Sequence, residues 1–540
     1  MALIVNKAAQ DWRLLIEIYL TGKTLKIAEE SLAFDSGFYD GRLQDVGVID
    51  QSAGRVLDPK LVSSRNTFRI DNADGLYSTY YDDYTWVNRE VVIKAGQGLV
   101  IGDYEEIYRG RVLTSGGIKL TEQEMTVTVD DVRSKDQRTL PINKFLPTNY
   151  ANMEVLKRWY PIPIVYGDWS SSAGSERVPA VQIDSTVGTG GSFKIADHTV
   201  KQIESVYKNG SSVAFSSASL ANATFTLDVA YDPLVDKIDV HCQGITDDGN
   251  SSGTLITSLP DIVQHILTTY LGVSSGNIDS SAFAAWESEL TSSDDGRRWI
   301  GTDISSNVLI TEALLEGFAD MTIQANKYAP KYRLVPLGSM DTFREGDLMN
   351  RYDGSKDFVV HQDPEENYVN TIAVDYAYNP VERQFARYEK DDTLEITDAG
   401  TRVRRLLTLN WLYKDTGAEH RGQRELLSFA TITEHLTTPV GPRALMKEPT
   451  DFFRIAYGKY TGNAMQVRTI RKDFAKMSAQ INAWSVGSLE AGRWTVDTAP
   501  VWNSSDEQEQ DEHGFWTDSD GYAGQLGGGQ TPGSDNSNWF

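Results

Sequence analysis

The clearest pattern in the chain is the alternation of apolar and polar positions between residues 67 and 113. Residues 67–71 and 89–95 are rich in β-branched and aromatic side chains, which is typical of strands. The intervening Asp71-Asn72-Ala73-Asp74-Gly75 predicts a turn, because Asn and Asp bond their own backbone and glycine adopts a positive φ. A second turn at residues 95–98 leads into a strand predicted for 105–112. Such closely spaced hairpins predict an antiparallel sheet or small barrel, since parallel pairing needs long crossovers.

The same alternation extends on both sides of this block. Strands are predicted at residues 12–20, 25–34 and 123–132. In the last of these, Met125, Val127 and Val129 alternate with polar residues, so one face is buried. We therefore predict a first β-barrel-like domain over residues 1–140.

A connector and a run of short strands follow. Prolines in the connector, residues 141–174, prevent a long helix and leave a short strand at 164–166. Gly, Ser and Asn turns, among them Lys208-Asn209-Gly210-Ser211, then separate five predicted strands at 180–183, 192–195, 205–207, 224–227 and 237–244. This pattern predicts an inserted β-sandwich or barrel over residues 175–250.

The hydrophobic period then changes from two to that of a helix. Residues 260–271 place their apolar side chains on one helical face, begin with Pro260 in the first turn and end at Gly272. Helices at 281–290 and 307–318 precede strands at 321–325 and 332–337. These elements predict an α+β segment over residues 251–345.

Strand patterns return between residues 346 and 500. A helix is predicted at 422–435, and strands are predicted at 368–377, 406–412, 452–457, 464–470 and 479–486. We interpret this region as a second β-barrel-like domain, so the predicted fold is mainly β with one α+β segment. Residues 501–540 form an acidic tail rich in Gly, Ser and Asn. A segment of this composition cannot bury enough surface to order itself alone.

Composition limits the classes of function. The formal net charge of −25 argues against a protein that grips nucleic acid. Cys242 is the single cysteine, which excludes an internal disulfide or a cysteine zinc cluster and favours a reducing compartment. The sequence contains no apolar stretch of transmembrane length, and the N-terminus lacks the pattern of a secretion signal.

Candidate chemistry is weak throughout the chain. Asp74-Gly75 and Asp520-Gly521 lack the preceding acid of an EF-hand loop, and no phosphate-binding or dinucleotide fingerprint is found. Neighbouring carboxylates, such as Glu105 with Glu106, are expected by chance in so acidic a chain. His241 and Cys242 are adjacent, so on a strand they point to opposite faces, which predicts a buried cysteine and a solvated histidine. The sequence therefore predicts no enzyme, no cofactor and no metal.

The aromatic residues are more informative. The chain has 12 Trp and 25 Tyr, and several of them lie among polar residues. Core packing explains most of them, but Tyr and Trp also provide large contact areas at interfaces. The interface candidates are Tyr80, Tyr84, Trp86, Trp169, Trp502, Phe515, Trp516 and Trp539. For the last four an interface is favoured, because the tail has little core of its own.

Three segments together resemble a known family. They are the block with Asn72-Ala73-Asp74-Gly75-Leu76-Tyr77-Ser78 and Tyr108-Arg109-Gly110, the run Pro161-Ile162-Pro163-Ile164-Val165-Tyr166-Gly167, and Gly514-Phe515-Trp516-Thr517-Asp518-Ser519-Asp520-Gly521-Tyr522. Their order, with the helix-then-sheet segment between them, resembles the central hub of the tail tip or baseplate of long-tailed bacteriophages.

This resemblance implies a virion protein that is assembled in the host cytoplasm as a homotrimer. Each subunit would hold two tail-tube-like barrels, so that three copies form a pseudo-sixfold ring. The ring would join the hexameric tail tube to a threefold tip and line the channel for DNA. The implied partners are the distal tail protein or tail tube, the tape measure protein and tip or fibre proteins, with genomic DNA only in transit.

Two other functions stay open at this point. The inserted domain and its aromatic residues could bind host-surface glycans, or the chain could be a tail-associated hydrolase of cell-wall material. No residue pattern identifies the acid or nucleophile that a hydrolase needs.

Overall fold

The structure is a computed structural model in which strands form most of the regular elements, as the sequence predicts. It describes residues 13–35, 37–52, 63–131, 138–153, 155–324, 327–332, 340–351, 355–362, 368–393, 396–397, 400–429, 434–457, 464–474 and 476–485. The fold is mainly β, with helices concentrated in its middle third.

The N-terminal region is almost entirely strands. Its elements are β1 (Arg13–Leu20), β2 (Lys23–Ala28), β3 (Leu32–Phe34), β4 (Gly37–Tyr39), β5 (Leu43–Asp45), β6 (Ile49–Ser52), β7 (Ser63–Asp71), α1 (Leu76–Asp83), β8 (Glu90–Gly96), β9 (Tyr104–Val112), β10 (Ile118–Leu120) and β11 (Glu124–Asp131). β8 and β9 form the hairpin that the turn at residues 95–98 predicts.

The turn at residues 71–75 does not form a hairpin, which corrects the prediction. Gly75 has a φ of 73° and leads into helix α1, which the sequence did not predict. β7 pairs with β5, β6 and β11 instead of with β8. The physical reason is the Asn72 side chain, whose oxygen accepts the N–H groups of Tyr77 and Ser78 and so caps the helical turn.

The insertion is a pair of facing sheets. Its elements, with two connector strands first, are β12 (Thr139–Leu140), β13 (Ile164–Tyr166), β14 (Asp168–Trp169), β15 (Val178–Pro179), β16 (Val181–Gln182), β17 (Ser192–Lys194), β18 (Gln202–Lys208), β19 (Ser211–Val213), β20 (Phe215–Ser219), β21 (Thr224–Leu227) and β22 (Ile238–Gln243). One sheet contains β14, β15, β18, β19 and β22, and the other contains β16, β17, β20 and β21. Asn209 and Gly210 both have positive φ, as a tight β18–β19 turn requires.

The central segment combines helices with short strands. Its elements are α2 (Leu259–His265), which continues as a π-helical turn (Ile266–Tyr270), α3 (Ser280–Ser288), β23 (Arg298–Ile300), β24 (Ile304–Ser305), α4 (Ser306–Glu316), β25 (Ala319–Gln324) and β26 (Lys327–Tyr332). The three predicted helices are confirmed, with Ser258, Asp279 and Ser305 accepting N–H groups at their N-termini.

The C-terminal region divides between two cores. Its elements are β27 (Asp341–Arg344), β28 (Val359–Gln362), β29 (Thr371–Asn379), β30 (Gln384–Asp391), β31 (Arg404–Thr408), α5 (Asp415–Phe429), β32 (Glu434–Val440), β33 (Phe452–Ala456), β34 (Ala464–Asp473) and β35 (Ser478–Ser485). β29–β31 and α5 pack on the central helices, so this part does not join the second barrel-like unit that the sequence predicts. The helix predicted at 422–435 is α5, and residue 435 lies in β32.

The remaining C-terminal strands join the N-terminal strands in one sheet. The strand order is β2-β1-β8-β9-β11-β7-β6-β34-β35-β32-β28. The joint is the antiparallel pairing of β6 with β34, in which Asp50 lies opposite Arg471 and Gln51 opposite Ile470. One hydrophobic core, containing Ile16, Phe68, Phe453 and Ile481 among others, runs beneath both sets of strands. The strands of the two predicted barrel-like units therefore share one sheet and one core.

Candidate functional site

The main candidate site is the face of the shared sheet that points away from its core. We call this surface the polar face. It is defined by the alternate positions Glu17, Glu90, Lys94, Arg109, Thr126, Thr128, Asp130, Arg65, Thr67, Arg69, Asp50, Ser52, Thr469, Arg471, Gln480, Asn482 and Thr437. Strand alternation produces this face directly, because every second side chain of each strand is buried in the core.

Charges on the polar face are arranged in pairs. Arg65 Nε lies 2.8 Å from Asp130 Oδ1, and Arg69 lies 3.0 Å from Asp45. Arg109 bonds Glu90 and Glu106, and at the joint Arg471 lies 3.5 Å from Asp50. Each of these arginines therefore has a carboxylate partner within the chain, which leaves less positive charge to bind a passing phosphate.

Hydroxyl and amide groups complete the surface between the ion pairs. Thr67 and Thr128 bond across β7 and β11 at 3.2 Å. In the C-terminal strands, Asn482 bonds Thr437 at 2.9 Å and Thr469 at 2.7 Å. These contacts satisfy polar groups within the sheet, so the face offers few unpaired polar groups.

The single buried acid on this face is Glu17. Its carboxylate accepts hydrogen bonds from Tyr19, Tyr39 and, at 3.0 Å, from Lys94. Burial raises the pKa of Glu17, but these three donors outweigh that effect and hold the pKa below its ordinary value. Glu17 is therefore an ionised carboxylate with a structural role in the sheet.

Two of the predicted interface residues lie on helix α1 (Tyr80) and directly after it (Tyr84). Tyr80 and Tyr84 are half-buried and form edge-to-face contacts in a row with Tyr77, with ring centroids 5.7 and 6.1 Å apart. The Lys23 ammonium lies 3.5 Å from the centre of the Tyr80 ring, a cation–π contact. Both rings thus keep part of their surface available for a partner.

The loop before α1 is held by a second contact. Arg42 donates two hydrogen bonds to Asp74, at 2.7 and 2.6 Å. These hydrogen bonds lower the pKa of Asp74 to about 2. The Asn72-Ala73-Asp74-Gly75 sequence is therefore an ordered turn that fixes the direction of α1.

Two other interface candidates are core residues, which corrects their assignment. Trp86 is 2% exposed and donates its indole N–H to Tyr80 O at 2.9 Å. Trp169 is 1% exposed, donates to Tyr166 O at 2.8 Å and stacks against the Arg297 guanidinium. Polar neighbours in sequence suggested exposure, but strand pairing and helix packing cover both rings. Trp502, Phe515, Trp516 and Trp539 lie outside the described residues.

The histidine–cysteine pair differs partly from the prediction. Cys242 is buried, and burial raises the pKa of its thiol well above the ordinary value. His241 is buried too, with Nδ1 2.8 Å from the Trp169 carbonyl oxygen, so it is not the solvated residue that alternation predicts. The face of the sheet that carries His241 is buried as well, and the alternation pattern of a single strand cannot show this.

Sequence reasoning missed two buried charged residues. Glu316 on α4 accepts the backbone N–H groups of residues 410–412 at 2.7 to 2.9 Å and so ties α4 to the segment after β31. Arg297 bonds Glu176 at 2.6 Å and lies between the rings of Trp169 and Tyr413. Their partners are far away along the chain, so no local pattern identifies them.

The described residues limit two other classes of site. Among them no group of three or more His, Cys, Asp and Glu side chains is placed to hold a metal ion. Across the same part of the chain, no helix combines the length and apolarity needed to cross a membrane.

Comparison with known proteins gives structural similarities only. No family model and no curated protein sequence matches the chain. A 43 kDa tail protein of prophage MuSo2 from Shewanella oneidensis is similar over 87% of this chain and 97% of its own, at 9% identity and a TM-score of 0.40. A chain of the virion of a native gene transfer agent particle is similar over 65% and 88%, at 9% identity and 0.42. A tail protein of Neisseria meningitidis MC58 is similar over 88% and 97%, at 7% identity and 0.38.

Proposed function

We propose that the chain is a structural subunit of a bacteriophage tail tip or baseplate, where it forms a trimeric hub around a channel. The observation that carries this proposal is the β6–β34 joint, which unites N-terminal and C-terminal strands in one sheet. Two strand sets per copy give six sets in a trimer. That number suits a ring that meets a hexameric tube on one side and a threefold tip on the other.

One end of the sheet supports ring closure. Within the described residues the strand path ends at β2 and at β28. The outer edge of β2 is partly occupied, since Ala28 N–H donates to Asp40 O and Asp40 N–H donates to Lys26 O, so β28 is the candidate edge. Edge strands carry backbone donors and acceptors that another strand can pair with. A neighbouring copy is a natural source of that strand, because rings form when one interface repeats through a closed rotation.

The polar face supports a role as a channel wall. Its ion pairs neutralise the positive charges that would bind phosphates. The chain as a whole carries a net charge of −25. The face itself carries similar numbers of cations and carboxylates, so a passing polyanion would find little unneutralised positive charge to bind. In this proposal the distal tail protein or tail tube, the tape measure protein and tip or fibre proteins are neighbours, and DNA is only in transit.

Sedimentation velocity and electron microscopy of the purified chain test the proposal. We expect the mass of three chains and particles with threefold symmetry around a bore. A chain that stays monomeric from nanomolar to micromolar concentration, and also in the presence of tail-tube protein, would contradict the hub.

Deleting residues 175–245 separates the hub from a host-surface glycan-binding protein. The insertion packs around its own core, so a hub lacking it should still form the ring. If the intact chain binds a glycan array and the deletion abolishes that binding without affecting the ring, the insertion is an attachment module as well.

The proposal assigns no chemical step to the chain. Incubation with peptidoglycan or capsule, followed by a reducing-end assay, tests this directly. Turnover by the purified protein would favour the tail-associated hydrolase instead.

A further inference from the structure

A large cleft lies where three parts of the chain meet. Its volume is about 1080 Å³, and it is bounded by the connector, the inserted sheets and the β29–β30 turn. Lys157 and Tyr160 line one wall, Asp236 and Lys237 a second, and Arg383 a third. Clefts that bind ligands are commonly of this size.

Large apolar side chains stand exposed beside this cleft. Trp159 is 64% and Tyr160 60% exposed in the connector, while Leu234 is 88% and Val235 72% exposed in the loop between the lining residues Pro233 and Asp236. Trp159 has a φ of 71°, which is rare for a bulky residue, and its N–H donates to Phe145 O at 2.9 Å. These exposed apolar groups are sequence neighbours of the lining residues, and exposed apolar groups that cluster mark a binding surface.

The lining is positive although the chain is acidic. Its charged side chains include only three carboxylates, while the five cationic ones are Lys157, Lys237, Arg297, Arg298 and Arg383. Two of the carboxylates are neutralised, Asp236 by Lys208 at 2.9 Å and Asp239 by Arg177 at 2.8 Å. Two of the cations are neutralised as well, Arg297 by Glu176 and Arg298 by Glu312.

Two of the cations are open to a ligand. Lys237 and Arg383 are exposed and form no ion pair with the part of the chain that the structure describes. The cleft therefore suits a ligand that combines negative charge with apolar or aromatic groups.

One segment of the chain has that chemistry. Asp506, Glu507, Glu509, Asp511 and Glu512 directly precede Phe515 and Trp516, and no Lys or Arg follows Ser504. Residue 505 lies 20 positions beyond Ser485, the end of β35. Twenty residues span at most about 70 Å when extended, which sets the reach of the acidic segment from the end of β35.

We propose that this cleft binds residues 506–516 of the chain's own C-terminal region. The carboxylates pair with Lys237 and Arg383, and the rings of Phe515 and Trp516 pack on the apolar rim. The contact explains two features together, a cationic cleft in an acidic protein and aromatic residues within an acidic tail. It does not depend on the hub function.

Photo-crosslinking in the full-length chain tests this contact. With benzoylphenylalanine in place of Phe515, we expect cross-links to residues 157–160, 233–237 and 378–383. Mixing chains with and without ¹⁵N shows whether the segment comes from the same copy or from another, and either origin fulfils the proposal. Cross-links that fall elsewhere, or none at all, overturn it.

Charge reversal tests the predicted ion pairs. The double variant Lys237→Glu, Arg383→Glu should lower the cross-link yield about tenfold, since two attractive exposed pairs become repulsive. Lys119→Glu, an exposed lysine on β10, is the matched control and should leave the yield unchanged. Adding Glu509→Lys and Asp511→Lys to the double variant should restore the yield. An unchanged yield in the double variant overturns the charge-based contact.

Discussion

The Asn72 turn gives the most direct test of the local structure, through the variant Asn72→Ala. The buried Asn72 side chain makes four hydrogen bonds. It accepts the N–H groups of Tyr77 at 2.9 Å and Ser78 at 3.2 Å, and it donates to Ser78 Oγ at 2.9 Å and Thr121 O at 3.1 Å. Alanine removes all four and leaves the Tyr77 N–H buried without this acceptor.

The magnitude follows from these bonds. At about 0.5–1.5 kcal/mol net for each of the four hydrogen bonds, their loss should lower the free energy of opening α1 by about 2–6 kcal/mol. Since 1.4 kcal/mol corresponds to a factor of ten, exchange of the amide hydrogens in residues 76–83 should accelerate about thirtyfold or more. Hydrogen exchange followed by mass spectrometry measures this locally, which suits a large protein whose global unfolding need not be two-state.

Two control variants sharpen the result. Asn72→Asp keeps the two acceptor contacts and loses the two donor contacts, so its effect should lie between wild type and alanine. Thr79→Ala changes an exposed position on the same helix and should alter exchange little. Exchange of residues 76–83 in Asn72→Ala within about threefold of wild type would refute the view that this side chain caps α1.

Three further outcomes follow from buried groups. Trp169→Ala should destabilise the insertion by about 3–5 kcal/mol, while Trp169→Phe costs less, and equal urea midpoints for both would contradict its place in the core. Burial raises the pKa of Glu316 to about 7 from an ordinary value of 4.5, so the folded state holds this proton more tightly than the unfolded state does. The stabilisation by the protonated Glu316 is therefore complete below about pH 4.5 and is lost as the pH rises towards 7. Glu316→Gln should reduce the change in urea midpoint between pH 5 and pH 8. The same pH dependence of the midpoint in both proteins would contradict this. The Cys242 thiol should react with a thiol-specific dye only on unfolding, and rapid labelling of the native chain would show that the insertion opens.

Much of the fold could be predicted from local patterns. The alternation of Met125, Val127 and Val129 identified β11, and the strand at Thr224–Leu227 has the predicted bounds. The helices that begin after Ser258 and Ser305 were visible because apolar residues recur there at helical spacing. These features depend on neighbours in sequence, which is why a single chain reveals them.

The arrangement of these elements could not be predicted in the same way. Nothing in β6 or β34 identifies the other as its partner, since the pairing of Gln51 with Ile470 spans most of the chain. Trp86 and Trp169 looked exposed for the same reason, because the groups that cover them come from other elements. The polar face likewise emerges only when the strands are assembled.

The β6–β34 joint also has a consequence for biosynthesis. Translation at about 5–20 residues per second places roughly 20–80 seconds between the appearance of β6 and of β34 on the ribosome. During that interval the edge of β6 that later pairs with β34 is unpaired, and unpaired strand edges promote aggregation. The sheet also contains β35, so it is complete only when residue 485 has emerged, and a polypeptide terminated earlier cannot build it. Incomplete translation products that stop before β34 therefore lack both the β6–β34 joint and the strands that follow it.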